Sequence, residues 1–325
     1  MHKIHSVKRV AVLRGGPSEE YATSLDTGAG VLSALSDTPY AVEDIMISKT
    51  GEWLKNGIVK TPDHALAATD VVFIALHGAY GEDGTVQRIL QRLAIPYVGS
   101  GPYVSALCCN KMLTKEHLQG IGILMPRHMR VSREANKDLS RIAYTISTLF
   151  GPSYVLKPLS SGSSFGIMYA EGVVELVAAL EESLQTYTDI LVEEFIEGAD
   201  VTCAVLEDYR EQPLYSFPSL QMVRSPEQKV LNVFDAQKVV PANLKTEQKR
   251  EVERVAQLAH TTLGCAQHSR SDFVVTKDGD VFFLELNTLP SLADTAPYTS
   301  ALQSVGANTR EIVEQLISTA SSKTH

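Results

Sequence analysis

Four side chains near the C-terminus have the types and spacing of a metal site. Two β-like runs, Asp272–Thr276 and Asp280–Leu286, flank Asp278-Gly279. Asp-Gly is the signature of a two-residue type I′ hairpin. In that hairpin Lys277 pairs with Asp280, Asp272 lies opposite Glu285, and Arg270 lies opposite Asn287. Side chains alternate between faces along a strand. Arg270, Asp272, Glu285 and Asn287 therefore share one face, while Phe273, Val275, Phe282, Leu284 and Leu286 share the apolar one. Two acids directly opposed on a sheet repel each other, and a bound cation relieves that repulsion. Oxygen ligands from Asp, Glu and Asn suit Mg²⁺ bridging nucleotide phosphates. The rival reading is a solvated polar face, the ordinary result of in–out alternation.

Other segments tilt the balance toward nucleotide chemistry. Tyr154-Val155-Leu156-Lys157-Pro158 ends an apolar strand on a lysine, and Ser160-Ser161-Gly162-Ser163-Ser164-Phe165-Gly166 follows. Small residues permit close backbone approach, and successive N–H groups can cradle a phosphate. Gly-Lys-Ser/Thr is absent, so this is no Walker A loop, and alone it reads as an ordinary turn. Ile190-Leu191-Val192-Glu193-Glu194-Phe195 leaves acids at a strand end, with Glu197 and Asp200 beyond. Such acids can accept hydrogen bonds from adenine or ribose, although spacing alone favours a solvated strand end. His77-Gly78 closes the apolar run Val71–Leu76, and Gly15-Gly16-Pro17-Ser18-Glu19-Glu20 follows the first strand. Ligands gather at the carboxyl ends of strands in open α/β sheets, so His77 and Glu20 are candidates for one cleft.

The elements that must position these residues alternate strand and helix. The first third reads β (Lys8–Leu13), helical (Ser18–Leu35), β (Val42–Ile47), β (Val71–Leu76), helix (Thr85–Leu93) and a short strand at Tyr97-Val98. That order predicts a doubly wound parallel sheet over 1–100. Gly99-Ser100-Gly101-Pro102 marks a boundary. Central (101–189) and C-terminal (190–325) units follow, the latter ending in helix Glu247–Leu263, the hairpin and helix Thr309–Ser318.

Composition excludes several classes. The 325 residues are 44% hydrophobic and 21% charged, too apolar for disorder. A net charge of −9 argues against general binding to nucleic acid or anionic membrane. No apolar run reaches the ~18 residues of a membrane span, and Met1-His2-Lys3-Ile4-His5 opens no secretory signal. Four cysteines, Cys108, Cys109, Cys203 and Cys265, include no CxxC pair and suit a reducing compartment. A cytoplasmic enzyme is expected.

The ensemble resembles the D-alanine–D-alanine ligase family of the ATP-grasp superfamily. The resemblance is carried by Gly15–Glu20 with Ser24-Leu25, Ala75–Gly78 with Gly81–Thr85, Tyr97–Gly101, and Asn110-Lys111. It continues through Lys157-Pro158 with Gly162–Ser164, Glu193–Asp200, Arg270, Asp272 and Glu285–Pro290. It implies a three-domain α/β ATP-grasp fold with the doubly wound domain first, and ATP held between the central and C-terminal units. It implies that one D-alanine carboxylate attacks the γ-phosphate and that a second D-alanine amine attacks the acylphosphate, giving the dipeptide used in peptidoglycan. By matching position, Lys111 and Lys157 contact phosphates, with Ser164 and Glu194 also on the nucleotide. Glu193 accepts from adenine, Phe195 and Ile196 line its pocket, and Asp200 holds ribose. Asp272, Glu285 and Asn287 bind Mg²⁺, or Mn²⁺ in its place. Glu20 holds the first D-alanine's ammonium with Ser163 bonded nearby, Arg270 stabilises the tetrahedral oxyanion, and His77 and Ser291 face substrate. A homodimer is the family-based expectation.

Two segments depart from the family pattern. The stretch that should close over the phosphates, Val233–Ala242, is several residues short and lacks a tyrosine; Lys238 stands in for the loop lysine. After Pro290 the chain reads Ser291-Leu292-Ala293-Asp294-Thr295-Ala296-Pro297 where the family has Gly-Met-Thr. These departures keep two alternatives open: an ATP-grasp ligase with another amino-acid or hydroxy-acid acceptor, and a non-catalytic nucleotide-binding relative.

Overall fold

The computed structural model describes residues 7–134, 138–159, 166–225, 228–231 and 236–322. In the N-terminal third, β1 (Arg9–Gly15), α1 (Tyr21–Leu35), β2 (Ala41–Ile47), β3 (Trp53–Lys55), β4 (Ile58–Lys60), α2 (Pro62–Ala65), β5 (Val71–Ile74) and α3 (Thr85–Arg92) follow in order. They build one sheet, β4-β3-β2-β1-β5, in which β1 runs parallel to β2 and β5. Alternation along β1 explains why both faces are covered. Val10 and Val12 join the core with Val31 and Leu35 of α1, while Ala11 and Leu13 join the core with Val86 and Leu90 of α3. The expected Tyr97-Val98 strand is reduced to a single parallel bridge from Tyr97 to Val72. The hairpin of β3 and β4 was not expected. Its Asn56-Gly57 turn has both φ angles positive, 54° and 75°, and an Asn-Gly pair between short β-prone runs is the signal that would have found it.

Helices α4 (Pro102–Cys109) and α5 (Lys111–His117) lead into the central unit. There β6 (His128–Ser132), α6 (Leu139–Leu149), β7 (Ser153–Pro158), β8 (Met168–Glu171), α7 (Gly172–Thr186) and β9 (Asp189–Glu194) form a four-stranded antiparallel sheet, β6-β9-β7-β8. The strand at 190 thus completes the central sheet instead of opening the C-terminal one. Tyr154, Leu156, Ile190 and Val192 pack under α6 and α7, so period-2 alternation turns Val155, Lys157 and Glu193 to the opposite face.

The last third contains β10 (Ala199–Tyr209), β11 (Gln212–Ser216), β12 (Leu220–Val223), β13 (Gln237–Val239), α8 (Thr246–Leu263), β14 (His268–Val275), β15 (Val281–Asn287), α9 (Pro297–Ser304) and α10 (Thr309–Ser322). The sheet order is β13-β12-β10-β14-β15, with β11 on β10. Helix α8 covers one face through Val252, Val255 and Ala259. The chain then returns to its beginning: Ile312, Val313, Leu316 and Ile317 of α10 share the core of Val10, Val12 and Phe73. The last helices therefore fasten the C-terminal unit to the N-terminal sheet. Among the described residues, no helix is long and apolar enough to cross a membrane.

Candidate functional site

The β14–β15 hairpin places its polar residues as the sequence predicts, by a route the sequence did not reveal. Arg270 pairs with Asn287 and Asp272 with Glu285. The turn, however, is not a two-residue one. Thr276 N–H donates to Asp280 O at 2.9 Å across a three-residue loop that ends on Gly279, whose φ is +107°. That loop shifts the register near the turn, so Phe273 faces Phe283 and Val275 faces Val281. A bulge between Asp272 and Phe273 shifts it back. The extra residue is Leu284. Val281 and Phe283, with Leu286, therefore fill the core, whereas Phe282 and Leu284, expected there, are only half-buried. Leu284 joins Glu285 on the wall of a cavity.

This cavity lies between the central and C-terminal sheets. Val155 and Lys157 of β7 and Glu193 and Glu194 of β9 form one wall; Asp200, Thr202, Met222, Arg270, Asp272 and Glu285 form the other. Pro126, Phe195, Ile196 and Leu231 add apolar surface, a suitable lining for a planar base. Phe195 is braced edge-on by Tyr169, ring centroids 5.2 Å apart.

Charge in the cavity is paired almost side chain by side chain. Glu193, only 2% exposed, takes Lys115 on Oε1 at 2.8 Å and Lys157 on Oε2 at 2.7 Å. Burial works against its charge, but the two ammonium groups prevail and hold the carboxyl down at about 2. Both oxygens fix lysines, and each keeps a second lone pair on the cavity wall with which to accept from a base, the role expected of it. Lys111 Nζ lies 3.1 Å from Glu285 Oε2. Against the cost of burial, Lys111 and then Lys157 keep the Glu285 carboxyl below its ordinary range. Arg270 grips Asp272 with two bonds, 3.1 and 2.9 Å. Glu194 is held by the Arg127 guanidinium at 2.6 Å and by the Arg127 N–H at 2.8 Å, which anchors the segment beside Pro126. Lys115 was missed by sequence reasoning. It stands four residues after Lys111 on α5, the spacing of one helix face.

The repulsion between Asp272 and Glu285, assigned to a cation from sequence, is already relieved by Arg270 and Lys111. Among the described residues no three His, Cys, Asp or Glu side chains gather into a metal cage. Two carboxylates on a cavity wall fit Mg²⁺ when phosphate oxygens complete its shell. Asn287 is a poorer fit than expected. Its Oδ1 accepts from Leu289 N–H at 2.7 Å and its Nδ2 donates to Glu82 Oε1 at 3.3 Å.

A second cleft separates the N-terminal and central units. Glu20 lines it beside Ser18, Gly78, Asn110, Leu159 and Tyr187. A Cβ on Gly78 would lie 3.1 Å from Glu20 Oε1, and its φ is +67°, so glycine there lets the carboxylate approach. His77 is buried behind this wall. Its Nε2 meets Thr27 Oγ1 at 2.7 Å, and Thr27 Oγ1 meets Ser291 Oγ at 2.7 Å. Its Nδ1 lies 3.4 Å from Glu82 Oε1, the atom that also accepts from Asn287. A hydrogen-bonded relay thus joins the N-terminal sheet to the end of β15 and to Ser291, which is turned to Thr27 and not to the cavity. Thr27 and Glu82 were not singled out from sequence. Lys238 is likewise redirected: its ammonium donates to the Thr295 carbonyl, and it is not among the cavity's lining residues. Ser163 and Ser164, and Val233–Asp235 of the expected closing segment, lie outside the described residues.

Comparison with known proteins gives a consistent picture. Residues 58–100 match the family model described as D-ala D-ala ligase N-terminus, and residues 117–318 match D-ala D-ala ligase C-terminus. The chain is 32% identical to a D-alanine–D-alanine ligase of Geotalea uraniireducens, over 97% of this chain and 96% of that one. It superposes on the ATP complex of the Bacillus anthracis D-alanine–D-alanine ligase with a TM-score of 0.81 at 26% identity, covering 97% of each chain. VanG, a D-Ala:D-Ser ligase from Enterococcus faecalis, gives a TM-score of 0.82 at 26% identity, over 97% of this chain and 99% of that one.

Proposed function

The chain belongs to the D-alanine–D-alanine ligase family, and from that premise we propose that it joins two D-alanines at the expense of ATP to supply the dipeptide of peptidoglycan. The observation that carries this reading is the convergence of Lys111, Lys157, Arg270, Asp272 and Glu285 on one cavity between two sheets. Membership sets the binding-only alternative aside.

The chemistry follows from that arrangement. A carboxylate oxygen of the first D-alanine attacks the γ-phosphorus, ADP leaves, and an acylphosphate forms. The free amine of the second D-alanine attacks the acyl carbon. The tetrahedral intermediate expels phosphate, and the amine proton is lost. Little of this requires covalent help from the protein; positioning and electrostatics carry it. Lys111 and Lys157 offset phosphate charge, and Glu193 with Lys115 fixes Lys157 in place. Arg270, its fork held by Asp272, offers N–H donors where oxyanion charge develops. Glu20 takes the first D-alanine's ammonium in the N-terminal cleft. Asp272 and Glu285 would hold Mg²⁺, which would supply positive charge against that of the phosphates. A cytoplasmic location fits the sparse, unpaired cysteines.

The second reading keeps this chemistry and changes the acceptor. Ser291 spends its hydroxyl on Thr27 and on Ala293 N–H, so the divergent segment offers a second substrate something other than that hydroxyl. One experiment separates the readings: purified protein with ATP, Mg²⁺ and D-alanine, alone or with D-serine, glycine or D-lactate, and products read by mass. D-Alanyl-D-alanine as the dominant product supports the first reading. A mixed product with negligible dipeptide of D-alanine supports the second.

A further inference from the structure

The segment after β12 carries an arginine that neither motif nor charge pattern singled out. Arg224 lines the nucleotide cavity directly beside Asp200. Its Nε lies 2.6 Å from Asp200 Oδ2, and the two side chains are only 17% and 13% exposed. The same guanidinium donates to the Gly198 carbonyl at 3.1 Å and to the Lys229 carbonyl. Gly198 cannot shift to follow it: a Cβ there would lie 2.4 Å from Val275 O, so the backbone is already packed against β14. The Gly198 carbonyl and the Asp200 carboxylate on one stretch of chain, and the Lys229 carbonyl on another, therefore hold one planar guanidinium, the first and last by hydrogen bonds and Asp200 as an ion pair. A fork fixed in this way fixes in turn the carboxylate it grips.

We propose that Arg224 is a positioning residue for sugar recognition, holding the Asp200 carboxylate in the orientation that reads a ribose hydroxyl of the nucleotide. The proposal rests on the reading that Asp200 faces the sugar. An unpaired carboxylate buried beside a triphosphate would be repelled by it and would be free to rotate. Paired with Arg224 it is neutralised without losing its capacity to accept. Burial pushes the Asp200 carboxyl up to about 6, and the Arg224 charge is the first influence that opposes this and favours the ionised, accepting form.

The test is calorimetric affinity for ADP, 2′-deoxyADP and 3′-deoxyADP, without D-alanine, so that it is independent of ligase turnover. The unaltered protein should prefer ADP to at least one deoxy analogue on the order of tenfold, as expected for a hydrogen bond to a charged acceptor. In Asp200→Asn that preference should collapse. In Arg224→Ala it should fall to roughly threefold or less. Arg224→Lys, which keeps the charge and loses the fork, should be intermediate and guards against a folding defect in the alanine variant. Collapse in Asp200→Asn with full preference in both Arg224 variants would overturn the proposal and leave Asp200's role standing. Full preference in Asp200→Asn would overturn both. None of these results bears on whether the enzyme joins D-alanines, which the product assay decides separately.

Discussion

The nucleotide half and the amino-acid half of this molecule are built on different principles. Between the two ATP-grasp sheets, every acidic side chain named above is matched by a cation: Glu193 by two lysines, Glu285 by Lys111, Asp272 by Arg270, Asp200 by Arg224. Between the N-terminal sheet and the end of β15, the contacts run through hydroxyls and a histidine: Ser291, Thr27, His77 and then Glu82. The contrast fits the ligands. A triphosphate brings several negative charges and needs cations already in place and oriented. A zwitterionic amino acid needs direction more than charge. Buried charge is costly unless paired, so the first half must keep its partners together. The second half is held mainly through hydroxyls and a histidine, and it is there that Ser291–Pro297 departs from the family pattern.

The largest effect is expected from stranding charge in the nucleotide half. Glu193→Gln leaves Lys115 and Lys157 buried without the carboxylate that each pairs with. A loss of about 3–5 kcal/mol in urea unfolding is expected. The pH dependence has a definite sign. Glu193 sits at about 2 in the folded protein against an ordinary 4.5. Its contribution is therefore present above pH 4.5 and drains away as pH falls toward 2. The Glu193→Gln variant should lack that part of the acid sensitivity. Loss of less than about 1 kcal/mol would mean that the lysines find other partners.

Arg270→Lys comes next. It keeps a charge and loses the fork, so the rate should fall about 10²–10³-fold while ADP affinity changes little. An equal fall in both would place Arg270 with the nucleotide rather than with the developing oxyanion. Smallest is Thr27→Val, which removes both the Thr27–His77 and the Thr27–Ser291 bond. At about 1 kcal/mol for each bond, KM for D-alanine should rise roughly five- to thirtyfold with KM for ATP unchanged. A rise in the ATP value instead would show that the two halves are not separable.

How much of this was legible in the sequence depends on the range of the contact. The shared face of Arg270, Asp272 and Glu285 was readable because in–out patterning sets which residues face a core. That reading survived a wrong turn assignment only because the three-residue loop and the Leu284 bulge shift the register in opposite senses. The bulge itself was hidden: Val281-Phe282-Phe283-Leu284 is apolar throughout, so the pattern does not say which residues face inward. The true two-residue turn, Asn56-Gly57, went unread between runs of only three residues each. Lys115 had a local signal, four residues from Lys111, but a helical lysine ordinarily faces water and its partner lies on β9. The relay through Thr27, His77 and Ser291 had none, since it forms only when α10 and the segment after β15 return to the N-terminal sheet. Arg224 is invisible for the same reason: its partners come from β10 and from a loop.

Catalysis requires the two halves to operate as one site. The direct measurement is the ratio of ADP released to D-alanyl-D-alanine formed, in the same reaction, with ATP, Mg²⁺ and saturating D-alanine. One ADP per dipeptide, with no release when D-alanine is omitted, is the predicted result. ADP release that persists without D-alanine, or that runs well ahead of dipeptide, would contradict it, because the nucleotide half would then be firing without the amino-acid half in register.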